Sequence, residues 1–182
     1  MKRYTILVVD DEKLILNSIK RVLRNENYHL LTAQSGIEGL MLLKKHNVQL
    51  VISDQTMPEM TGLEFLKKVK VEHPEILSIM LTGNAEIGIA IDAINEAGVY
   101  KFILKPWENT DLKITIRRAL ESLELVLERD ALLREVQIRD SILLDLENEH
   151  PGISKIEQDE DGYIISADDD SVPEIKWGKK DS

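Results

Sequence analysis

Ile6-Leu7-Val8-Val9-Asp10-Asp11 decides how the rest of this chain reads. A short apolar run rich in β-branched residues, closed by paired acids, predicts a buried strand that ends at a polar rim. Three later stretches repeat the pattern. Leu50-Val51-Ile52-Ser53 runs into Asp54, Ile79-Met80-Leu81 into Thr82, and Phe102-Ile103-Leu104 into Lys105. In an open α/β sheet the ligand crevice lies beyond the carboxyl ends of the strands. Four such ends would gather three carboxylates, a hydroxyl and an ammonium around one point. That donor set suits a divalent cation and a phosphoryl group.

Between these strands the spacing turns helical. The strands predicted are 5–9, 29–33, 50–54, 76–81 and 100–104. Helices are predicted over 12–25, with Leu14, Ile15, Ile19, Val22 and Leu23 on one stripe, over 36–46, with Ile37, Leu40, Met41 and Leu43 as its apolar residues, and over 63–71 and 86–97. Met57-Pro58-Glu59-Met60-Thr61-Gly62 reads as a loop, and Gly98 as the residue just past a helix. The fold class expected is α/β: a doubly wound, five-stranded parallel sheet with right-handed crossovers. A last helix is predicted from about Asn109, where Asn109, Thr110 and Asp111 all suit an N-cap, to His150-Pro151-Gly152. At about 60 Å it would outrun a domain of this size. From about Leu120 its overhanging apolar residues recur at three and four, Leu120, Leu123, Leu127 and Ala131 and then, after a register shift, Leu132, Val136, Leu143 and Leu146, with Arg129, Arg134 and Arg139 interrupting, which predicts a coiled-coil-like extension. The division expected is 1–120 for the α/β domain, 121–150 for the helical extension and 151–182 for an acidic tail. In that tail 153–157 and 162–166 could form a hairpin, and 167–171 and 179–182 read as disordered.

Composition bounds the chemistry. The chain has 182 residues, net charge −10 and no cysteine, so disulfides, thiol catalysis and cysteine zinc sites are excluded. His29, His46, His73 and His150 show no metal-ligand spacing. Up to Arg118 the chain carries 16 basic and 15 acidic residues; beyond it the numbers are 7 and 18. The last third should therefore be repelled by nucleic acid and by anionic membrane surfaces. With neither a secretory leader nor an apolar run of spanning length, a soluble cytoplasmic protein is expected.

The spacing of the motifs Ile6-Leu7-Val8-Val9-Asp10-Asp11-Glu12, Asp54-Gln55-Thr56-Met57-Pro58 with Gly62, Leu81-Thr82-Gly83 and Lys105-Pro106-Trp107 resembles the receiver domain of two-component response regulators, over residues 4 to about 120. The resemblance implies a flavodoxin-like receiver fold. It implies that Asp54 accepts a phosphoryl group from a histidine kinase or phosphotransfer protein. It implies Mg²⁺ held by Asp10, Asp11, Asp54 and the Thr56 carbonyl. Thr82 and Lys105 would bind the phosphoryl group and report it, with Gly83 leaving room. Lys105-Pro106 would be cis, and Phe102 would be the aromatic whose packing follows Thr82. Trp107 would stand at the strand–helix corner as a probe.

What remains is output. No basic recognition helix and no phosphodiester motif appears. The expectation is a signalling protein without enzymatic output, passing the state of Asp54 to a homodimer or a downstream protein through the long helix. A second expectation is a scaffold that docks a partner whatever the state of Asp54. A third, an aspartate-nucleophile phosphatase, needs an acid two residues after the nucleophile to protonate the leaving group, and Thr56 stands there.

Overall fold

The computed structural model describes residues 3–83 and 97–150, and the backbone of 157–158 and 164–165. The strands are β1 (Tyr4–Val9), β2 (Tyr28–Ala33), β3 (Leu50–Asp54), β4 (Leu77–Thr82) and β5 (Lys101–Leu104). The helices between them are α1 (Lys13–Leu23), α2 (Gly36–Leu43) and α3 (Gly62–Glu72), and α4 (Asn109–Glu149) follows β5. All pairings of the five-stranded sheet are parallel, in the order β2-β1-β3-β4-β5. This is the flavodoxin-like order, whose direction of winding reverses between β1 and β3.

Strand alternation divides the core in two. Ile6, Val8, Leu50, Ile52, Ile79, Leu81 and Ile103 pack on one face with residues of α1 and α4. Leu7, Val9, Val51 and Met80 pack on the other with Phe65, Leu66 and Val69 of α3. A strand buried on both faces must be apolar throughout, and β3 is buried along its whole length.

Helix faces depart from the expected stripes at two places. In α1, Leu16 takes the buried position with Ile19, Val22 and Leu23, and Leu14 is 79% exposed. In α2, Ile37 and Met41 point outward, and Gly36, Gly39 and Leu43 are buried. A Cβ on Gly39 would stand 3.0 Å from the Phe65 ring, so glycine lets α2 and α3 approach. Gly98 has φ +61°, as a residue just past a helix often does. The predicted helix 86–97 lies outside the described residues apart from Ala97.

The last helix starts at Asn109 as predicted, but Glu108 occupies the cap position, its carbonyl accepting the Leu112 N–H at 3.1 Å. Asn109, Thr110 and Asp111 form the first turn instead. Leu112, Ile116, Ala119, Leu120 and Leu123 are buried, so Leu120 and Leu123, read from the sequence as part of an overhanging seam, belong to the core. The chain divides into two compact units, Met1–Glu128 and Arg129–Ser182. In the second, β6 (Glu157–Gln158) and β7 (Ile164–Ile165) pair antiparallel where a hairpin was expected. The flanking residues and the runs 167–171 and 179–182 lie outside the described residues. Among the described residues no helix is long and apolar enough to cross a membrane.

Candidate functional site

Register explains why the site closes. Residues 6, 8 and 10 of the first strand and its end point to one face, as do 50, 52 and 54 of the third and 103 and 105 after the fifth. Asp10, Asp54 and Lys105 therefore leave the sheet on the same side, around the β1/β3 switch point. Asp10 is fully buried, Asp54 is 6% exposed, and Asp11 stands at the partly exposed mouth. One carboxylate oxygen from each lies within 4.8 Å of the others. The adjacent Asp10 and Asp11 converge because β1 ends at Val9 and the chain turns there.

Lys105 joins the two buried acids. Its Nζ lies 2.5 Å from Asp54 Oδ1 and 3.1 Å from Asp10 Oδ2. Asp10 Oδ1 accepts the Glu12 N–H at 2.9 Å, and Asp54 Oδ2 accepts the Thr56 N–H at 3.2 Å. Burial pushes the Asp10 carboxyl above the ordinary range, against the pull of the Glu12 N–H and of Lys105. Burial alone would lower the Lys105 ammonium, but its bonds and charge pairing with Asp54 and Asp10 hold it above its usual value.

The remaining predicted residues are placed as follows. Thr82 is fully buried, and its hydroxyl donates to the Gly83 carbonyl at 3.3 Å. Its carbonyl accepts the Lys105 N–H at 2.8 Å, which ties the ends of β4 and β5 together. Phe102 sits opposite Met80, half-buried against the core face that holds α3. Thr82 lies two residues beyond Met80, so alternation puts it on the Phe102 side of the sheet. Tyr100 lies before the first residue of β5 and is 40% exposed. Lys105-Pro106 is cis. Trp107 packs on the α1/α4 face of the core and, with Ile15, Ser18, Lys105, Pro106 and Asn109, lines a groove of about 420 Å³.

Two residues of the predicted motif to which sequence reading gave no separate role, Gln55 and Gly62, fix the loop that follows Asp54. Gln55 is 5% exposed, and its Oε1 accepts the Leu63 N–H at 3.1 Å. Its backbone N–H donates to the Leu81 carbonyl at 2.9 Å, and its carbonyl accepts the Gly62 N–H at 2.9 Å. One amide residue thus fastens the β3–α3 loop to β4 and to the start of α3. Gly62 is the tightest point of that loop, since a Cβ there would fall 2.0 Å from the Asp54 carbonyl oxygen. The Pro-Gly signature of the loop was visible in the sequence; the burial of a glutamine by its amide had no sequence signal. The start of α3 is closed by a capping box between Thr61 and Glu64, whose hydrogen bonds hold the Glu64 carboxyl below its ordinary value.

Residues 6–117 match the family model described as response regulator receiver domain. The chain belongs to the response regulator receiver family. This receiver is 41% identical over 121 residues to the hydrogenase transcriptional regulatory protein HoxA of Cupriavidus necator, a match covering 66% of this chain and 25% of that one. It is 30% identical over 176 residues to HoxA of Bradyrhizobium diazoefficiens, covering 97% of this chain and 36% of the relative. A solved response regulator receiver domain protein from Clostridium thermocellum superposes with a TM-score of 0.64 at 35% identity, covering 68% of this chain and 98% of that one. The receiver thus spans a quarter to about a third of the length of the curated relatives it matches. Those relatives are named as transcriptional regulators, not as enzymes.

Proposed function

We propose that this receiver accepts a phosphoryl group on Asp54 from a phosphohistidine of a histidine kinase or phosphotransfer protein. A carboxylate oxygen of Asp54 forms the new bond to phosphorus as the bond from phosphorus to the histidine nitrogen breaks, giving an acyl phosphate. The observation that carries this reading is the Lys105 ammonium, held between the two buried acids Asp54 and Asp10. It compensates the acceptor's charge at rest and stands where a phosphoryl oxygen would replace a carboxylate oxygen as its partner.

The carboxylates of Asp10, Asp11 and Asp54, with the Thr56 carbonyl, are the residues that would hold Mg²⁺. Three acidic oxygens within 4.8 Å, one at the exposed mouth, fit a hard cation that keeps several waters. When bound, the ion supplies charge neutralisation for the phosphoryl oxygens. Thr82 would exchange its bond to the Gly83 carbonyl for one to the phosphoryl group, and Gly83 leaves space for that group. The movement of Thr82 on the Phe102 side of the sheet gives the packing there two states. A phosphoryl group shifts their balance only by its differential contacts with them. The extended helix α4 then carries the change to self-pairing or to a protein partner, in the cytoplasm and without contact of this stretch with nucleic acid. In the HoxA relatives a receiver of this kind belongs to a longer transcriptional regulator, and the helix is the segment that would pass its state onward here.

The test is intact-mass and peptide mass spectrometry after incubation with a small acyl phosphate and Mg²⁺. One phosphoryl group on Asp54, absent in Asp54→Asn and after chelation of the metal, is expected. Labelling that survives Asp54→Asn, or that ignores chelation, would overturn the assignment. Assembly that ignores Asp54 altogether would favour a scaffold instead.

A further inference from the structure

We infer that Arg129 and Arg139 are a built-in brake on self-pairing of α4, set in the seam through which a second copy docks. The inference deepens the proposed function, resting on its use of α4 for output. On a helix of 3.6 residues per turn, Arg129, Leu132, Val136, Arg139, Leu143 and Leu146 share one stripe with alternating spacings of three and four. The four apolar members are exposed, Leu132 at 63% and Leu143 at 52%. The two guanidiniums stand at core positions of that seam, with side chains 66% and 69% exposed.

Charge at the two arginine layers points to a second copy as the occupant. In the single chain each arginine leans on its sequence neighbour. Arg129 bonds Asp130 through Nη2 at 2.8 Å and Nε at 3.0 Å, and Arg139 lies 3.8 Å from Asp140. In a parallel, in-register pair the position before an a residue and the position after a d residue flank the partner's core. Arg129 would then lie beside Glu128 of the second copy, and Arg139 beside Asp140 of the second copy. The same helix thus supplies both the seam cations and the acids that flank them, as an isologous interface must, while Glu135 of one copy faces Asp140 of the other as a like charge and adds to the cost.

The brake is the cost of that arrangement. Each guanidinium meets its own copy across the seam and loses water, so the pair forms with little net gain from two of its six layers. Only about three heptads are available, near the lower limit for a stable coiled coil. Self-pairing is therefore weak enough for another source of free energy, such as a changed state of Asp54, to decide it.

The experiment uses the full chain with Asp54→Ala, so that the phosphoryl site cannot act, and reads mass by light scattering across a concentration series. Adding R129L and R139L together should tighten dimerisation at least ~10-fold, the direction expected when a polar core layer is removed. Circular dichroism checks that the helix content is unchanged. Because the chain has no cysteine, Leu143→Cys gives an orientation readout. A homodisulfide between the two copies at 143, absent for Ile138→Cys off the seam, is expected. Unchanged dimerisation after both arginine replacements, or cross-linking through 138 rather than 143, would overturn the inference. Both readouts leave phosphorylation out, so their failure is separate from any failure of the Asp54 assignment.

Discussion

At Asp10 a buried charge is held at a cost. The carboxylate accepts the Glu12 N–H and touches Lys105, yet its pKa remains raised because desolvation, joined by repulsion from Asp54, outweighs them. A raised pKa in the folded state means that the fold binds this proton more tightly than the unfolded chain does. Below the ordinary carboxylate range, where both states are protonated, Asp10 costs nothing. As pH climbs through the interval between the unfolded and folded values the cost appears, and above it the cost is constant. Metal-free Asp10→Asn should thus be more stable than the parent at neutral pH, and the gap should close on acidification. Urea unfolding at pH 7.5 and in mild acid checks this. Millimolar Mg²⁺ should reverse the order at neutral pH, because the parent, with all its carboxylates, gains more from the ion than the variant. A variant less stable than the parent at pH 7.5 without metal would mean that the Lys105 and Glu12 contacts outweigh burial. Lys105 adds a separate limb: its raised pKa contributes stability below the ordinary lysine value that is lost as pH rises through the folded one.

Elements were legible where one periodicity dominated. β3 and the ends of β1, β4 and β5 could be read because a strand buried on both faces admits only apolar residues until the rim. Asp10, Asp54 and Lys105 meet as the sheet order requires. Helix faces were harder. In α1 the choice between Leu14 and Leu16 turns on a small difference of phase, and in α2 Gly36 and Gly39 face the core beside Leu43 where Ile37 and Met41 were expected. The docked length of α4 was underread for a similar reason. Its leucines continue at helical spacing past the core, so nothing in the pattern marks Leu123 as its last buried residue. Leu123→Ala should cost about 2–5 kcal/mol of stability, as removal of a buried leucine does. Leu133→Ala, on the same helix but 53% exposed, should change it by less than about 0.5 kcal/mol in the monomer. Urea midpoints at low protein concentration separate the two. Equal losses would mean that the packed part of α4 reaches beyond Leu123.

Over the whole molecule the phosphoryl site and the α4 seam are linked thermodynamically. If the state of Asp54 biases self-pairing of α4, pairing must bias the site by the same factor. Beryllofluoride, which binds a carboxylate as a phosphoryl mimic, makes this measurable as a simple affinity. Far below the dimerisation Kd of the parent chain, the titration reports the monomer's affinity. Far above it, the titration reports the dimer's, tighter by the coupling factor, typically about 5–150-fold. With R129L and R139L together, pairing is no longer held back, and the higher affinity should persist down to protein concentrations at which the parent is monomeric. The acidic last third of the chain adds a salt dependence. With 18 acids against 7 bases beyond Arg118, two copies repel at long range, so added salt should strengthen pairing until it screens the arginine contacts themselves. A beryllofluoride affinity that stays flat with protein concentration in the parent, while light scattering shows it dimerising over the same range, would mean that α4 pairs without hearing from Asp54. The arginines would then tune an assembly that the site does not control.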